Sequence, residues 1–258
     1  MTALITGASS GIGFELAGIC AARGHDLVLV ARREGTLLDL ARTLTREHGV
    51  RAEAIAADLS HPDVAAAVVD RTSALGLDVD ILVNNAGFGL YGPFSETSLD
   101  TEVEMIQLNI TSLTALTKLL LPGMLERRAG RILNVASTAS FFPGPLMAVY
   151  YATKAYVLSF SEAISNELEG TGVTVTALCP GPTASGFQAA ANLEESKLFA
   201  GKTLPSSGRS CDRSRRRNGR SAVFVGQDFS PARAAILPVR PAAPRRAPSH
   251  SRPVPALR

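Results

Sequence analysis

The chain has 258 residues, 46% of them hydrophobic, which suits one large α/β domain with a substantial buried core. Its three cysteines cannot form a disulfide framework and its four histidines show no metal-ligand spacing, so we expect no bound metal and a reducing, cytoplasmic setting. The sequence has no apolar run of about 18 residues free of charges and turn residues, and it therefore predicts no transmembrane helix and no membrane partner.

Six short apolar runs predict β-strands, and longer stretches between them predict helices. Near-continuous apolar strands separated by helices are typical of a parallel sheet that is covered on both faces. We therefore predict an α/β fold of the Rossmann type, with a doubly wound parallel sheet. The predicted strands span residues 2–6, 27–31, 51–56, 79–83, 131–136 and 173–178.

Turn residues predict where the helices begin and end. Gly24, Gly49 and Gly170 each follow a helical stretch, and glycine is common just after a helix C-terminus. Pro62 is expected in the first turn of the third helix, and Pro122 with Gly123 is expected to bend the long fourth helix. The predicted helices span residues 11–23, 34–48, a stretch that opens at 60 or 61, 98–128 and 150–169.

The chain changes character near residue 200. Residues 201–258 carry 13 basic and two acidic residues, a net charge of +11, whereas residues 1–200 carry 13 basic and 21 acidic residues, a net charge of −8. The last 58 residues also hold eight of the 15 prolines, too many for a helix or a central strand. We predict one domain over 1–200 and an irregular, Arg/Pro-rich tail over 201–258, either disordered or read from a shifted frame, with one candidate strand at 221–226.

A glycine-rich turn joins the first predicted strand to the first predicted helix. Glycines in such a turn let the backbone approach a pyrophosphate, and the helix N-terminus offers free N–H groups to the anion. The turn therefore predicts a dinucleotide site. Its residues are Gly7, Ser9, Ser10, Gly11, Ile12 and Gly13.

The ends of the next strands indicate which dinucleotide is bound. An acid after the second strand would bind the ribose 2′-hydroxyl of NAD, but this chain has Arg32 and Arg33 there. Arginine pairs well with phosphate, so NADP(H) is favoured over NAD(H). Further candidate contacts, whose ordinary roles would be a helix cap and a turn, are Asp58 and Leu59 after the third strand and Asn85, Ala86 and Gly87 after the fourth.

Tyr150 and Lys154 lie four residues apart at the start of a predicted helix and so share one face. A phenol has a pKa of about 10, too high to exchange protons well at neutral pH, and a nearby ammonium lowers that pKa. Ser137 ends the fifth predicted strand, at the same edge of the sheet. The three residues together predict a site of proton transfer.

The order of TGASSGIG, NNAG, a strand-end serine and YxxxK resembles the short-chain dehydrogenase/reductase family over about residues 1–190. The resemblance implies that Tyr150 is the general acid/base, and that Ser137 hydrogen-bonds the substrate oxygen. It implies that Lys154 lowers the pKa of the tyrosine and, with it, contacts the nicotinamide ribose. It further implies a proton relay supported by Asn109, and nicotinamide contacts from Pro180, Gly181 and Thr183.

The same resemblance implies hydride transfer between NADP(H) and a carbonyl or alcohol carbon of a small molecule. Members of the family often form dimers or tetramers through two long helices, which here would be 98–128 and 150–169. The loops at 87–94 and 141–145 should border the substrate. They are apolar and contain no lysine or arginine, which favours an apolar substrate over a charged one.

Three other functions stay open. The altered tail is consistent with a non-catalytic NADP-binding protein that has an incomplete substrate pocket. A nucleic-acid partner for the basic tail is disfavoured, because no aromatic residue interleaves with its basic cluster at 213–220. A lyase or epimerase activity on the same fold is the smallest of the three.

Overall fold

The computed structural model describes residues 1–181 and, beyond them, the backbone of three short strands. In chain order the elements are β1 (Thr2–Thr6), α1 (Gly11–Ala22), β2 (Asp26–Ala31), α2 (Glu34–His48), β3 (Ala52–Ala56), α3 (Val64–Ala74), β4 (Val79–Asn84), α4 (Leu99–Ile106), a π-helix (Gln107–Ser112), α5 (Leu113–Glu126), β5 (Gly130–Val135), a 3₁₀-helix (Thr138–Phe141), α6 (Ala148–Glu167), β6 (Val173–Pro180), β7 (Thr183–Ala184), β8 (Leu204–Pro205) and β9 (Val223–Gly226).

Seven parallel strands of the described chain form one sheet, in the order β3-β2-β1-β4-β5-β6-β9. The chain winds outward in one direction from β1 to β3 and in the other from β4 to β9. Ligands of such sheets bind outside the carboxyl ends of the strands, at the point where the order reverses. This topology confirms the predicted Rossmann-type fold and points to the edge beside β1 and β4.

Helices cover both faces of the sheet, because successive residues of a strand point to opposite sides. Ala3 and Ile5 of β1 belong to the apolar cluster that includes α1 and α2, whereas Leu4 packs in the cluster that includes α3 and α5. All three side chains are fully buried. This explains why the sequence shows continuous apolar runs instead of alternating ones.

The predicted start of the third helix is wrong, and the predicted bend of the long helix at Pro122 stays a prediction. The third helix begins at Val64, after Pro62, because Asp63 has a left-handed backbone with a φ of 64° that interrupts the turn before it. The long helix continues through Pro122, with the buried Leu116 and Met124 on either side packed in the core. Its departure from α-helical geometry is the π-helix at Gln107–Ser112, fifteen residues before the proline and its predicted bend.

The stretch Leu99–Glu126, counted as one helix of 28 residues, is long and apolar enough to cross a membrane by length and composition alone. The prediction from uncharged runs missed it because Lys118 interrupts the apolar stretch. A core helix of an ordinary domain meets the same criteria, and here the helix packs against α3, β4 and β5. Its composition therefore carries little weight on the question of a membrane.

The tail contributes one strand to the main sheet. β9 lies within the candidate strand at 221–226 and pairs in parallel with β6, from Ala177 opposite Val223 to Pro180 opposite Gly226. Most of residues 201–258 lies outside the described residues, so the domain boundary near residue 200 stays a prediction.

Candidate active site

A cavity of about 620 Å³ lies at the carboxyl ends of β1, β2, β3, β4, β5 and β6. It brings together nearly all the residues that the sequence singled out, from the glycine turn at one end to the catalytic trio at the other. Those lining it are Gly7, Ser9, Ser10, Gly11, Ile12, Arg32, Arg33, Asp58, Leu59, Asn85, Ala86, Gly87, Ser137, Tyr150, Lys154, Pro180 and Gly181. Gly13 and Asn109 lie behind the wall, and the side chain of Thr183 lies outside the described residues.

The glycine turn has no space for side chains at two positions. A Cβ on Gly13 would lie 2.4 Å from the Gly7 carbonyl oxygen, and a Cβ on Gly7 would lie 2.7 Å from the Asn85 amide nitrogen. Gly7 also has a φ of 66°, which a residue with a side chain rarely adopts. Gly13 therefore holds the turn in shape, and it does not itself line the cavity.

The two asparagines of the NNAG stretch have different partners. Asn85 faces the glycine turn, where its side chain donates to the Thr6 carbonyl oxygen at 2.9 Å and its backbone N–H donates to Thr6 Oγ1 at 3.0 Å. Asn84 points into the core, where its amide donates to Asn134 Oδ1 at 2.9 Å and to Thr117 Oγ1 at 3.1 Å. Asn84 thus ties β4 to β5 and α5, and Asn85 fastens the turn after β4 to the end of β1.

Two arginines stand at the end of β2. Arg33 reaches across the glycine turn, and its Nη2 donates to the Ser9 carbonyl oxygen at 3.2 Å and lies 3.3 Å from Ser9 Oγ. Arg32 Nη1 lies 4.0 Å from Asp58 Oδ2. Burial works to raise the pKa of Asp58, but hydrogen bonds from Ser60 and the charge of Arg32 leave that pKa below its usual value. Two cations and one carboxylate therefore border this end of the cavity.

Ser137, Tyr150 and Lys154 meet at the opposite end. Ser137 follows β5, and its hydroxyl interacts with that of Tyr150 and accepts the Ala139 N–H at 3.1 Å. Lys154 is buried, and its Nζ donates to the Val135 carbonyl oxygen at 2.8 Å. The ammonium nitrogen lies 5.9 Å from the centre of the Tyr150 ring. The strand end and the first turns of α6 thus bring a hydroxyl, a phenol and an amine into one wall.

The acid–base balance of this trio differs from the sequence expectation. Burial raises the pKa of Tyr150 to about 12, and the hydrogen bond from Ser137 offsets this only in part. Burial also lowers the pKa of Lys154 to about 8, since an ammonium loses its hydration there. The net effect is a Tyr150 pKa above that of an ordinary phenol, where the sequence predicted a lowered one. At neutral pH the tyrosine is a neutral phenol, which is the form that donates a proton.

Asn109 lies in the π-helix and is only 1% exposed. Its Nδ2 donates to the Phe88 carbonyl oxygen and to Thr153 Oγ1, each at 3.0 Å, while its Oδ1 accepts the Phe88 N–H at 3.2 Å. Thr153 Oγ1 in turn donates to the Tyr150 carbonyl oxygen at 2.7 Å. The asparagine side chain therefore braces the loop after β4 against the first turn of α6, and its part in a proton relay stays a prediction.

Several lining residues were missed as site residues, above all Met147 and Tyr151. A signal for both was available, because Met147, Tyr150, Tyr151 and Lys154 follow the i, i+3, i+4, i+7 spacing of one helix face. Nothing in the sequence indicates that Lys154 binds the Val135 carbonyl, since every residue has a backbone carbonyl group. The other lining residues not singled out as site residues are Val30, Ala31, Ala57, Phe88, Leu108, Ala136, Thr138 and Ala139.

Comparison with known sequences agrees with this architecture. Residues 1–196 match the family model described as short chain dehydrogenase. A very-long-chain 3-oxoacyl-CoA reductase of Phaeosphaeria nodorum is 39% identical over 177 residues, covering 67% of this chain and 52% of that protein. The chain spans 51% to 60% of the length of the curated relatives it matches.

Solved structures give the same result. A short-chain dehydrogenase of Sphingobium yanoikuyae in complex with NADPH superimposes with a TM-score of 0.74 at 39% identity, covering 80% of this chain and 79% of that one. The bulky-bulky ketone specific alcohol dehydrogenase of Comamonas testosteroni superimposes with a TM-score of 0.67 at 38% identity, covering 71% and 73% of the two chains.

Proposed function

The chain belongs to the short-chain dehydrogenase family, and from that premise we propose that it is an oxidoreductase that reduces an apolar carbonyl compound with NADPH. The observation that carries the proposal is the single cavity in which Ser137, Tyr150 and Lys154 form one end and the glycine turn forms the other. The two halves of a dehydrogenase, nucleotide binding and proton transfer, thereby share one continuous space.

The residues present fit a dinucleotide. The turn at Gly7 and Gly13 has no room for a Cβ, which leaves main-chain N–H groups at the cavity wall and at the start of α1. Such groups bind pyrophosphate. Asn85, Ala86 and Gly87 would border the same ligand farther along, and Lys154 would hold its nicotinamide ribose.

The preference for NADP(H) rests on the charges after β2. Arg33 and Arg32 lie there, and the strand itself ends in Ala31, so no carboxylate occupies the position that would bind a ribose 2′-hydroxyl. Asp58 is an acid that lines the same cavity, and it accepts a hydrogen bond from the Ser60 hydroxyl at 2.7 Å. A 2′-phosphate placed between the two guanidinium groups would gain charge-assisted hydrogen bonds.

The chemistry proposed for the other end follows from protonation states. The hydride for the carbonyl carbon would come from NADPH bound in this cavity. Ser137 and Tyr150 hold the carbonyl oxygen between their hydroxyls, and the neutral phenol of Tyr150 protonates that oxygen as its negative charge develops. Lys154, fixed on the Val135 carbonyl, supplies positive charge beside the tyrosine.

An apolar substrate is supported by the surroundings of the trio. Phe88, Met147 and Tyr151 line the cavity near it, and the exposed Phe142 lies against Tyr151. The names of the two relatives point the same way, since one acts on very-long-chain 3-oxoacyl-CoA and the other on bulky ketones. The finer choice among ketones, aldehydes and acyl thioesters belongs to experiment.

We also expect a homo-oligomer, a dimer or a tetramer. Leu99, Val103 and Ile106 are 75%, 53% and 40% exposed and lie on one face of α4. α6 packs against α4, and its Tyr156 hydroxyl lies 3.0 Å from Thr114 Oγ1 of α5, so α6 runs beside both helices. Contiguous exposed apolar surface of this kind marks interaction sites, and light scattering in solution would give the number of subunits.

The deciding experiment is a panel of apolar ketones, aldehydes and alcohols, each assayed with NADPH and with NADH. We expect substrate-dependent oxidation of NADPH that exceeds oxidation of NADH. Tight NADPH binding without turnover of any compound would instead favour the alternative of a non-catalytic binding protein. A cytosolic location stays a prediction, and the free thiols of Cys20 and Cys179 are compatible with it.

A further inference from the structure

Tyr151 has a place in the cavity that its position next to Tyr150 does not by itself explain. Its ring lines the cavity, with the ring centre 6.0 Å from that of Tyr150 in an edge-to-face arrangement. Phe142 approaches it from the neighbouring loop, with a centre-to-centre distance of 5.7 Å. Tyr150 thus has a second aromatic ring beside it, on the side of the loop at 141–147.

The ring of Tyr151 is fixed against that loop by Gly144. A Cβ on Gly144 would lie 2.3 Å from Cδ2 and 2.4 Å from Cε2 of the ring, so the ring occupies the space that any other residue would fill. The Tyr151 N–H also donates to the Met147 carbonyl oxygen at 3.0 Å. Both the ring and its backbone are therefore held in place before any substrate arrives.

The loop under the ring is itself fastened. The Met147 N–H donates to the Gly144 carbonyl oxygen at 3.1 Å, and the Leu146 carbonyl accepts the Gly92 N–H at 2.8 Å. The second bond joins the loop after the 3₁₀-helix to the loop after β4. Met147 is only 4% exposed and packs with Tyr91, Tyr150 and Tyr151. The surroundings of Tyr151 form a rigid apolar wall.

Charge is absent from this wall among the described lining residues, apart from Lys154. The other charged side chains that line the cavity are Arg32, Arg33 and Asp58, all at the nucleotide end. A flat apolar group therefore finds aromatic edges and a thioether here, with no carboxylate to desolvate and with the one ammonium, that of Lys154, already bonded to the Val135 carbonyl oxygen.

We propose that Tyr151 is a specificity-determining residue that walls a subsite for an aromatic ring, or a similarly flat apolar group, bonded to the reacting carbonyl carbon. The proposal rests on the proposed reductase function. Edge-to-face and offset contacts between rings contribute beyond the area they bury, so an aryl substituent gains more from this wall than an alkyl group of like polarity. The placement of the ring over Gly144 makes the gain depend on the ring of Tyr151 and not on its hydroxyl.

The test compares two methyl ketones, acetophenone and 2-butanone, through the ratio of their kcat/KM values with NADPH. Tyr151→Ala should lower the aryl-to-alkyl ratio about tenfold, chiefly through KM for acetophenone. Tyr151→Phe keeps the ring and should retain the wild-type ratio. Gly144→Ala removes no lining side chain, but its methyl group must displace the Tyr151 ring, so it should lower the ratio as well.

Denaturant unfolding reports folding of each variant independently of ketone turnover, and fluorescence titration of NADPH measures cofactor binding beside it. If Tyr151→Ala loses NADPH binding, Tyr151→Leu and Gly144→Ala carry the test. A ratio within twofold of wild type in Tyr151→Ala, or in Tyr151→Leu where the alanine variant loses NADPH binding, would overturn the inference alone and leave Tyr151 a structural support of the loop. A wild-type protein inactive toward every ketone would overturn the proposed function and this inference with it.

Discussion

The two ends of the cavity are built by different means. At the nucleotide end the glycine turn exposes main chain, and the turn depends on the absence of side chains, since a Cβ on Gly13 would lie 2.4 Å from the Gly7 oxygen. At the catalytic end the wall is side chains that are anchored on buried main chain, as Lys154 is anchored on Val135. We therefore expect the nucleotide end to be sensitive to added atoms and the catalytic end to removed ones. Substitutions of the two kinds can test the two ends separately.

Removal of one oxygen at the catalytic end should have the largest effect. We expect Tyr150→Phe to lower kcat for ketone reduction about 10²- to 10⁴-fold, because the Tyr150 hydroxyl interacts with that of Ser137 and is the proposed donor to the substrate oxygen held there. The dissociation constant for NADPH should change little. Steady-state kinetics and fluorescence titration measure the two quantities, and Tyr156→Phe on the outer face of the same helix is the matched control. Turnover within tenfold of wild type would show that Tyr150 is not the proton donor.

Addition of one methyl group at the nucleotide end should come next. Gly13→Ala places a methyl against the Gly7 carbonyl and the Asn85 amide, so NADPH should bind about 10- to 100-fold more weakly and the free energy of unfolding should fall by about 1–3 kcal/mol. Gly18→Ala on the same helix has no atom within 4 Å of the new methyl and should stabilise the helix by up to about 1 kcal/mol. Equal NADPH affinity in both variants would contradict the account of the turn.

A side chain at the nucleotide end gives a smaller and more specific effect. Arg33→Ala should weaken NADPH binding about tenfold through the lost contact with the 2′-phosphate, while NADH binding stays as it was. Arg42→Ala, which removes an exposed arginine paired with Asp39 on α2, is the control. If both cofactors weaken alike, Arg33 acts by supporting the Ser9 backbone and not by selecting the phosphate.

The smallest effect concerns stability and has the opposite sign. The folded protein lowers the pKa of Lys154 from 10.5 to about 8, so the fold binds fewer protons than the unfolded chain between those pH values. The resulting penalty is complete below about pH 8 and vanishes above 10.5, so the contribution of Lys154 to stability rises through this window, whereas the buried thiols of Cys20 and Cys179, with pKa values raised from 9.0 to about 11 and about 12, act in the opposite direction above pH 9.

Lys154→Met removes that penalty and loses the bond to Val135, and the two together should leave the variant about 1–2 kcal/mol more stable at pH 7 and inactive. Denaturant unfolding at pH 7, 9 and 10.5 measures the difference, which should shrink as the pH rises. A variant that is less stable than wild type at pH 7 would show that the hydrogen bond outweighs the cost of burying the charge.

The fold was predictable because short apolar runs and the turn residues between them indicate each strand and helix locally. The six predicted strands agree with the observed ones to within one or two residues, since apolar runs such as 27–31 have no other place than a covered sheet. The continuation of the long helix through Pro122 was part of the predicted span 98–128. The start of α3 was not predictable, because it depends on the left-handed backbone of Asp63.

The site was predictable in its residue types and less so in their environments. Strand ends and helix spacing brought Ser137, Tyr150 and Lys154 together correctly, because both depend on chain geometry alone. Burial raises the pKa of Tyr150, which is opposite to the expected effect, and no sequence pattern reports how far a folded site excludes water. Tyr151 was set aside as a catalyst, although its helical spacing placed it in the same wall.

The π-helix at Gln107–Ser112 also sets the angular phase between α4 and α5. One residue of an α-helix accounts for a rotation of about 100°, so deletion of Ile110 would turn α4 by roughly that angle while Leu116 and Met124 keep α5 seated. Each residue of α4 would then take the angular position of the next one, so Glu104 would reach the buried position of Met105, while Leu99 and Val103 would reach the exposed positions of Asp100 and Glu104. A loss of one codon here, without touching a residue of the cavity wall, would therefore place a carboxylate where the core holds a thioether.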